Sequence, residues 1–416
     1  MGIKLICCML ENRNGRHNYT ALGHGSSVCE NVGEYMEMEK RSRDRALSIC
    51  QTYIRRTPRY NRAVIIFNLF SFLPGSRMDK HWFIVRDTSL KTDRLITLAP
   101  LNRNCSLSIT PLTKNVLNDL FLALQHPYIC PIFDIDFLEL ESQNYVIVVQ
   151  PISQGSLKDL IYGIERTGWN EDWNQKYGSR GKGLPLPQVQ QMGRQVLEAL
   201  IFLKERGFPT VIHLHSGNVL VQNGVARLAG LENTLLGFTS RIHPLIASRI
   251  SQNISIDMIC FGHMLFEMCA GYELPSFKPN SMHLSDVEIY PQVQILSFCS
   301  LFFIFGESSN RQKIIEELLV HDLFRNIDLR EMRSAPVTIF RPTLTSPIVN
   351  LLDGIKRQNA NKRMICSYPF LYFAKASFCM HEQAEVALYK RRVFDTQILV
   401  MTRRIRLIDL IFQKCS

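Results

Sequence analysis

The chain has 416 residues, 46% of them hydrophobic and 20% charged, so it is long enough and apolar enough to bury a large core. The longest apolar stretch, residues 293–305, includes Gln294, Ser297 and Ser300, which excludes the roughly 20 apolar residues of a membrane-spanning helix. The 12 cysteines contain no Cys-x-x-Cys pair, which disfavours a zinc site or a disulfide framework and favours reduced thiols in the cytosol.

The net charge of +11 is concentrated at the two ends of the chain. Residues 1–62 hold 11 Lys/Arg against 6 Asp/Glu, residues 355–416 hold 12 against 4, and residues 63–354 hold 25 against 27. Basic ends can contact acidic lipid or phosphorylated partners, and they are equally compatible with solvated tails. We predict no nucleic-acid partner, and a peripheral membrane contact through the ends, aided by palmitoylation of Cys7 and Cys8, stays open.

The order of the predicted elements indicates an α+β protein with two lobes. Residues 1–62 are polar with little hydrophobic periodicity, which predicts a flexible basic arm. Short apolar or β-branched runs then predict an antiparallel sheet, at residues 63–69, 81–85, 95–99, 129–137 and 145–149. Apolar residues at helical spacing predict helices, at residues 112–124, 186–206, 258–270 and 314–320. Strands followed by helices give one domain over residues 63–355, and residues 356–416 form a basic tail of open structure.

Five local phrases in this stretch resemble protein kinases. They match the segment after the third kinase helix, the hinge, the catalytic loop, the Ser-Asp-Val-Trp-Ser-x-Gly segment, and the closing helix of the large lobe. In this chain they are His126-Pro-Tyr-Ile129, residues 145–160, residues 211–221, residues 255–271 and residues 311–324. Five phrases in the right order over about 250 residues imply a bilobal kinase-like fold, with a small antiparallel β lobe and a larger helical lobe.

Two parts that bind ATP in kinases are missing from the small lobe. A glycine-rich loop lets backbone N–H groups approach the phosphates, and the matching position, expected near residues 83–92, holds no glycine. The third-strand lysine that reaches the phosphates is replaced by Ala99. Its glutamate partner is absent as well, since no glutamate occurs over residues 41–138, and Leu117 and Asn118 stand near the expected site.

The residues that hold metal and accept the proton are missing from the large lobe. Alignment on Asn218, which matches a magnesium ligand, puts His213 at the position of the catalytic aspartate. The Asp-Phe-Gly triplet falls on Gly230-Leu231-Glu232, and residues 173–256 contain no aspartate. Loss of even one charge-stabilising group costs about 3–4 kcal/mol of barrier. The resemblance therefore implies a pseudokinase with no catalytic residue, no cofactor and no metal.

Three residues of the degenerate site have two possible interpretations each, and a fourth has a structural one. His213 is a base or, more in keeping with the missing metal ligands, a packed histidine. Asn218 holds a vestigial cation or bonds the local backbone. Glu232 binds a cation or is an exposed turn residue. Asp257 matches the kinase aspartate that accepts backbone N–H bonds from the catalytic loop, which implies a structural role.

Three short patterns resemble phosphorylation sites. Arg45-Ala-Leu-Ser48 and Arg56-Thr57-Pro58 resemble substrates of basophilic and proline-directed kinases. Thr345 lies within residues 341–347, which loosely resemble a docking phrase for 14-3-3 proteins. A phosphate on any of them creates a charge that an arginine cluster can bind.

A closer resemblance is to the insect slowpoke-binding proteins and the related PX-domain-containing kinase-like proteins. It is carried by residues 158–162, 193–200, 213–218 and 227–237, and residues 324–332 resemble the insect branch in particular. The 62 residues before the kinase-like part are too few for a PX domain. The resemblance implies a cytoplasmic protein, held at the plasma membrane through a channel, that binds a calcium-activated potassium channel and 14-3-3 proteins.

The predicted function is therefore that of an inactive kinase-fold scaffold that binds and modulates such a channel and recruits phospho-dependent adaptors. Two alternatives remain from the sequence. One is a weak phosphotransferase or nucleotide-binding pseudokinase that uses His213 and Glu232. The other is a membrane-associated trafficking adaptor, which rests on the basic ends.

Overall fold

A five-stranded antiparallel sheet in the order β3-β4-β5-β7-β6 forms the small lobe. Its strands are β3 (Ile65–Leu69), β4 (His81–Asp87), β5 (Thr92–Pro100), β6 (Asp134–Leu140) and β7 (Gln143–Pro151). A separate hairpin pairs β1 (Cys7–Glu11) with β2 (His17–Ala21). The sheet confirms the predicted antiparallel runs, with the fourth strand beginning five residues later than residue 129.

The computed structural model describes part of the chain. The described residues are 7–11, 17–21, 28–57, 65–69, 80–87, 91–101, 105, 107–140, 142–164, 176–238, 240, 242–247, 255–287, 304, 315–334 and 343–359. Contacts divide the chain into two units, Met1–Lys356 and Arg357–Ser416. The predicted tail lies almost entirely outside the described residues.

Helix α1 (Val28–Arg56) covers one face of the five-stranded sheet. Its buried residues, Ala46, Ile49, Cys50, Tyr53 and Ile54, recur at helical spacing. They pack on one set of alternating strand residues, Phe83, Val85, Ile96, Leu98, Ile147 and Val149. The Tyr53 hydroxyl also donates a 2.6 Å hydrogen bond to Asp134 Oδ2 on β6.

The prediction of a flexible arm over residues 1–62 is therefore wrong for residues 28–57. The residues of α1 described as buried, at 46–54, follow the charged run at residues 37–45, which lowers the hydrophobic periodicity of the whole segment. The domain boundary predicted at residue 63 separates α1 from the sheet on which it packs.

Helix α2 (Pro111–Ala123) covers the opposite face of the sheet. It begins at Thr110, whose hydroxyl accepts a hydrogen bond from the N–H of Thr113, and at Pro111, which suits the first helical position. Leu117, Leu120 and Phe121 are buried on its inner side. They belong to the same core as the second alternating set of strand residues, Ala99, Ile135, Val146 and Val148.

Helices and a small sheet form the large lobe. The helices are α3 (Leu157–Tyr162), α4 (Leu186–Glu205), α5 (Leu231–Leu235), α6 (His243–Ala247), α7 (Ile256–Ala270), α8 (Ser281–Val287), α9 (Arg330–Ser334) and α10 (residues 346–359). The strands are β8 (Gly155–Ser156), β9 (Val219–Gln222) and β10 (Val225–Leu228). The predicted helices at 186–206 and 258–270 are confirmed, whereas the one predicted at 314–320 is the 3-10 helix Ile315–Val320.

Helix α7 is the centre of this lobe, because all its residues except Asp257 are buried. A helix that is apolar on every side needs neighbours all round, which α4, α6 and α8 help to supply. The small antiparallel sheet and the larger helical part together define a bilobal, kinase-like α+β fold. No helix among the described residues is long and apolar enough to cross a membrane.

Candidate functional site

Ala99 lies on β5, the third strand of the five-stranded sheet, at the position expected for the phosphate-binding lysine. It is buried, and it belongs to the core that α2 shares with the sheet. On α2, Leu117 is buried, and the Asn118 amide makes both hydrogen bonds with the backbone of Ile135, at 3.0 and 3.2 Å. Ala99, Leu117 and Asn118, which the sequence matches to the region of the kinase ion pair, thus pack and bond α2 to the sheet.

The position predicted for the phosphate-binding loop, near residues 83–92, is wrong. Residues 83–87 belong to β4, where Phe83 and Val85 are buried and paired with β5. They therefore form strand and core, and β4 and β5 are the second and third strands of the sheet in chain order. The connection from β3 to β4 contains Gly75 and lies outside the described residues apart from Lys80.

The segment that matches the catalytic loop is closed by its own hydrogen bonds. The Asn218 side-chain amide donates to the carbonyl of His213 at 2.9 Å, and the Asn218 N–H donates to the carbonyl of His215 at 2.9 Å. The Asn218 carbonyl accepts from the N–H of Ala229 at 2.8 Å. Asn218 therefore bonds the local backbone, which is one of the two interpretations that its sequence position left open.

Two further residues define the loop. His213, at the position of the catalytic aspartate, is 2% exposed, so its ring is packed inside the protein. Asp257, the first-turn residue of α7, accepts a 2.7 Å hydrogen bond at Oδ1 from the N–H of Val211. This contact ties the loop to the central helix, and it is the contact that the kinase resemblance implies for Asp257.

Gly230 is the residue that the sequence matches to the metal-binding aspartate, and its backbone and two asparagine side chains leave little room for a side chain. Its φ of +77° lies in the left-handed region, which residues with a Cβ rarely adopt. A Cβ at this position would lie 2.8 Å from Asn233 Nδ2 and 3.3 Å from Asn218 Nδ2. By contrast, a Cβ at Gly224, with φ of +76°, would meet no atom within 4 Å. The restriction at residue 230 is therefore local packing, beyond the turn conformation itself.

Of the two interpretations of Glu232, a cation ligand or an exposed turn residue, the second is wrong, because Glu232 is 5% exposed. It lies in α5, whose Leu231 and Leu235 are buried in the large lobe. Glu232 Oε1 lies 3.4 Å from Asn233 Nδ2, and the carboxylate contributes to the raised pKa of the buried Cys130 thiol, after burial itself.

The residues present do not fit the two magnesium ions that phosphoryl transfer uses. Ala99, His213 and Gly230 supply no carboxylate, and Asn218 is engaged with the backbone. Within the described ranges, His, Cys, Asp and Glu form no group of three or more that could hold a metal ion. The matched residues Ala99, His213 and Gly230 therefore offer no carboxylate that could hold these ions.

A buried ion pair connects three elements around this loop. Lys158 on α3 is 2% exposed, and its Nζ lies 2.7 Å from Glu267 Oε1 on α7 and 2.7 Å from Glu273 Oε1. Ser216, within the catalytic-loop segment, donates to Glu267 Oε2 at 2.5 Å. The sequence placed Lys158 and Glu267 in separate kinase-like phrases, and their 109-residue separation concealed the pairing.

The His126-Pro-Tyr-Ile129 phrase joins the lobes. Tyr128 is fully buried, and its hydroxyl donates to Glu331 Oε2 at 3.0 Å; burial and this carboxylate raise the pKa of Tyr128. Arg227 Nε donates to the carbonyl of Pro127 at 3.0 Å, and Ile129 pairs with Leu228 on β10. The phrase thus fixes the small lobe to β10 and α9.

The three predicted phosphorylation sites lie in different surroundings. Ser48 is exposed in the middle of α1, and its carbonyl accepts from Thr52 Oγ1 at 2.9 Å. Thr57 is partly buried, and its hydroxyl donates to the Tyr53 carbonyl at 2.9 Å. Thr345 is exposed directly before α10, and its carbonyl accepts from the N–H of Val349 at 3.0 Å.

The bilobal fold, with a small antiparallel sheet and a larger helical lobe, places this chain in the class of protein-kinase-like proteins. No family model matches the chain. The chain is 44% identical to the slowpoke-binding protein of Drosophila melanogaster over 358 residues. These aligned residues cover 83% of this chain and 67% of that protein. The chain belongs to the slowpoke-binding protein family.

More distant relatives carry names of inactive or kinase-like proteins. The probable inactive serine/threonine-protein kinase slob2 of Dictyostelium discoideum is 30% identical over 306 residues, 71% of this chain and 50% of that protein. The mouse PX domain-containing protein kinase-like protein is 30% identical over 287 residues, 65% and 47% of the two chains. The chain thus spans about half the length of these two relatives.

The solved structure of the Neurospora crassa PAN3 pseudokinase also resembles this chain. The identity is 12% and the TM-score 0.42, with 70% of this chain and 62% of that chain covered.

Proposed function

We propose that this chain is a catalytically inactive kinase-fold scaffold that binds and modulates a calcium-activated potassium channel and recruits 14-3-3 adaptors. The observation that carries the inactive part is the environment of Gly230. A carboxylate at that position would need a left-handed backbone and a shift of the Asn233 side-chain amide. Internal contacts at the residue matched to the metal-binding aspartate support a role that the protein performs through its surfaces.

The alternative of a weak phosphotransferase depends on His213 and Glu232. Both side chains are buried, at 2% and 5% exposure, so neither is presented to a substrate hydroxyl in this conformation. The burial of both residues favours the scaffold over this alternative.

The channel partner is proposed on the name of the Drosophila relative, the slowpoke-binding protein. The adaptor is proposed on the resemblance of residues 341–347 to a docking phrase. Thr345 suits the adaptor better than the other two predicted phosphorylation sites. It is exposed, and a phosphate there lies at the N-terminus of α10, where the helix dipole favours negative charge. Ser48, by contrast, lies within a packed helix, and Thr57 already bonds the backbone.

Capture of the full chain from solution by the immobilised cytoplasmic domain of a calcium-activated potassium channel tests the proposal. We expect retention on this domain and none on the cytoplasmic domain of a voltage-gated channel without calcium-sensing modules. Immobilised 14-3-3 should retain the phosphorylated chain, lose it after Thr345→Ala, and keep it after Ser48→Ala. Equal retention on both channel domains, or none on either, contradicts the channel part, and retention of Thr345→Ala contradicts the adaptor part.

A further inference from the structure

A cleft of about 220 Å³ lies between α1 and one end of the five-stranded sheet. Arg41, Ser42 and Arg45 of α1 line one side, and His81, Pro100 and Tyr145 of the sheet line the other. None of the described residues that line it is acidic. The cleft is remote from the kinase-like site, since its strand residues face α1 and the Ala99 face of the sheet packs on α2.

The walls of this cleft are fixed by the fold. His81 is the first residue of β4, and Pro100 is the last residue of β5. Tyr145, near the start of β7, pairs with Pro100, so three antiparallel strands bring these residues to the same edge of the sheet. Ala46, which also lines the cleft, and Ile49 are each 1% exposed and anchor α1 on the sheet. A site built on packed elements is ordered before its ligand arrives, which lowers the entropy lost on binding.

The side chains around the cleft are those that bind an anion. Arg41 and Arg45 are four residues apart on α1, so both guanidinium groups project from one side of the helix. Ser42 Oγ and His81 Nε2 lie 3.0 Å apart in a hydrogen bond that joins helix and sheet. Arg41 also forms an ion pair with Glu37. The two side chains are 75% and 57% exposed, so this ion pair is weak and exchangeable.

We propose that this cleft, the α1–sheet cleft, binds the phosphate of a phosphorylated serine or threonine on a partner peptide. Guanidinium groups bind phosphate oxygens through paired N–H donors, and arginine clusters read phosphorylated peptides in many complexes. The volume lies below the roughly 300 Å³ at which pockets for drug-sized ligands begin, which suits one phosphorylated side chain. None of the large apolar side chains exposed in the described part of the chain lines the cleft, and this disfavours insertion into a membrane.

Calorimetric titration of the full chain with a short glycine-flanked phosphoserine peptide tests this site. We expect binding of this peptide, none of its unphosphorylated form, and competition by inorganic phosphate. The double variant Arg41→Gln/Arg45→Gln should weaken binding by about tenfold or more, because it removes two charged hydrogen-bond donors. The control Arg55→Gln/Arg56→Gln removes the same charge from exposed positions of the same helix and should change affinity less than about twofold.

Several outcomes overturn the site. These are no binding of the phosphopeptide, equal affinity for the two peptides, equal weakening by the two double variants, or binding only to vesicles that contain a phosphatidylinositol phosphate. The melting temperature of each variant is measured first. If the first double variant unfolds, Arg41→Gln alone replaces it, since that side chain is 75% exposed, and an unchanged affinity in that variant counts against the site.

Discussion

Replacement of Lys158 by alanine is expected to lower the free energy of unfolding by about 3–5 kcal/mol, which is a large part of the stability of a typical domain. Lys158 and Glu267 have side chains that are 2% and 4% exposed, and their atoms meet at 2.7 Å. Without the ammonium group, the Glu267 carboxylate stays buried and keeps the hydrogen bond that the Ser216 hydroxyl donates to it. The cost arises because a buried charge has lost both water and its partner.

Lys114→Ala is the matched control for Lys158→Ala. Lys114 Nζ also lies 2.7 Å from a carboxylate, that of Asp136, but the two side chains are 35% and 25% exposed. Water replaces the lost partner there, so the expected loss is about 0–1 kcal/mol. Urea unfolding followed by tryptophan fluorescence measures both. Equal losses in the two variants would show that the Lys158 pair does not hold α3, the loop and α7 together.

A chain that begins at residue 63 is expected to lose cooperative unfolding and to aggregate. The truncation removes the buried residues of α1, which are Ala46, Ile49, Cys50, Tyr53 and Ile54. Burial of each large apolar side chain contributes about 1.5–3 kcal/mol, so their sum is comparable to the whole net stability of about 5–15 kcal/mol. The truncation also uncovers the apolar face of the sheet that includes Phe83 and Ile96.

A chain that begins at residue 28 is the control, because it keeps α1 entire. We expect it to unfold cooperatively, with a melting temperature within a few degrees of the full chain. Size-exclusion chromatography and thermal unfolding of the two truncated chains give the comparison. A soluble, cooperatively folded chain from residue 63 would mean that α1 adds little to the small lobe.

Much of the fold follows from periodicity. The alternation of β5 and β7 and the helical spacing of α4 and α7 are written in contiguous residues, so the sheet and the main helices were predicted within a few positions. Helix α1 was missed because its described buried residues, at 46–54, follow a charged run. A window restricted to that half would have detected it.

The sequence alone predicts which residues match the kinase site, and that matching stays a prediction. Each of Ala99, His213 and Gly230 is matched to the kinase pattern from its immediate neighbours in the sequence. The contacts that replace the missing chemistry are long-range. The Lys158–Glu267 pair spans 109 residues, and the crowding around Gly230 depends on how Asn218 and Asn233 converge. No pattern in a single sequence encodes such convergence. The interpretation of Glu232 as an exposed residue was wrong for the same reason.

Thermal unfolding of the full chain with and without millimolar Mg-ATP is the most direct test of a kinase fold that is closed to catalysis. A ligand that binds only the folded state at a hundred times its dissociation constant raises stability by about 2.7 kcal/mol, which is a shift of several degrees. The contacts around Gly230 and Asn218 predict no shift. A saturable rise in melting temperature that requires magnesium would contradict the closed site.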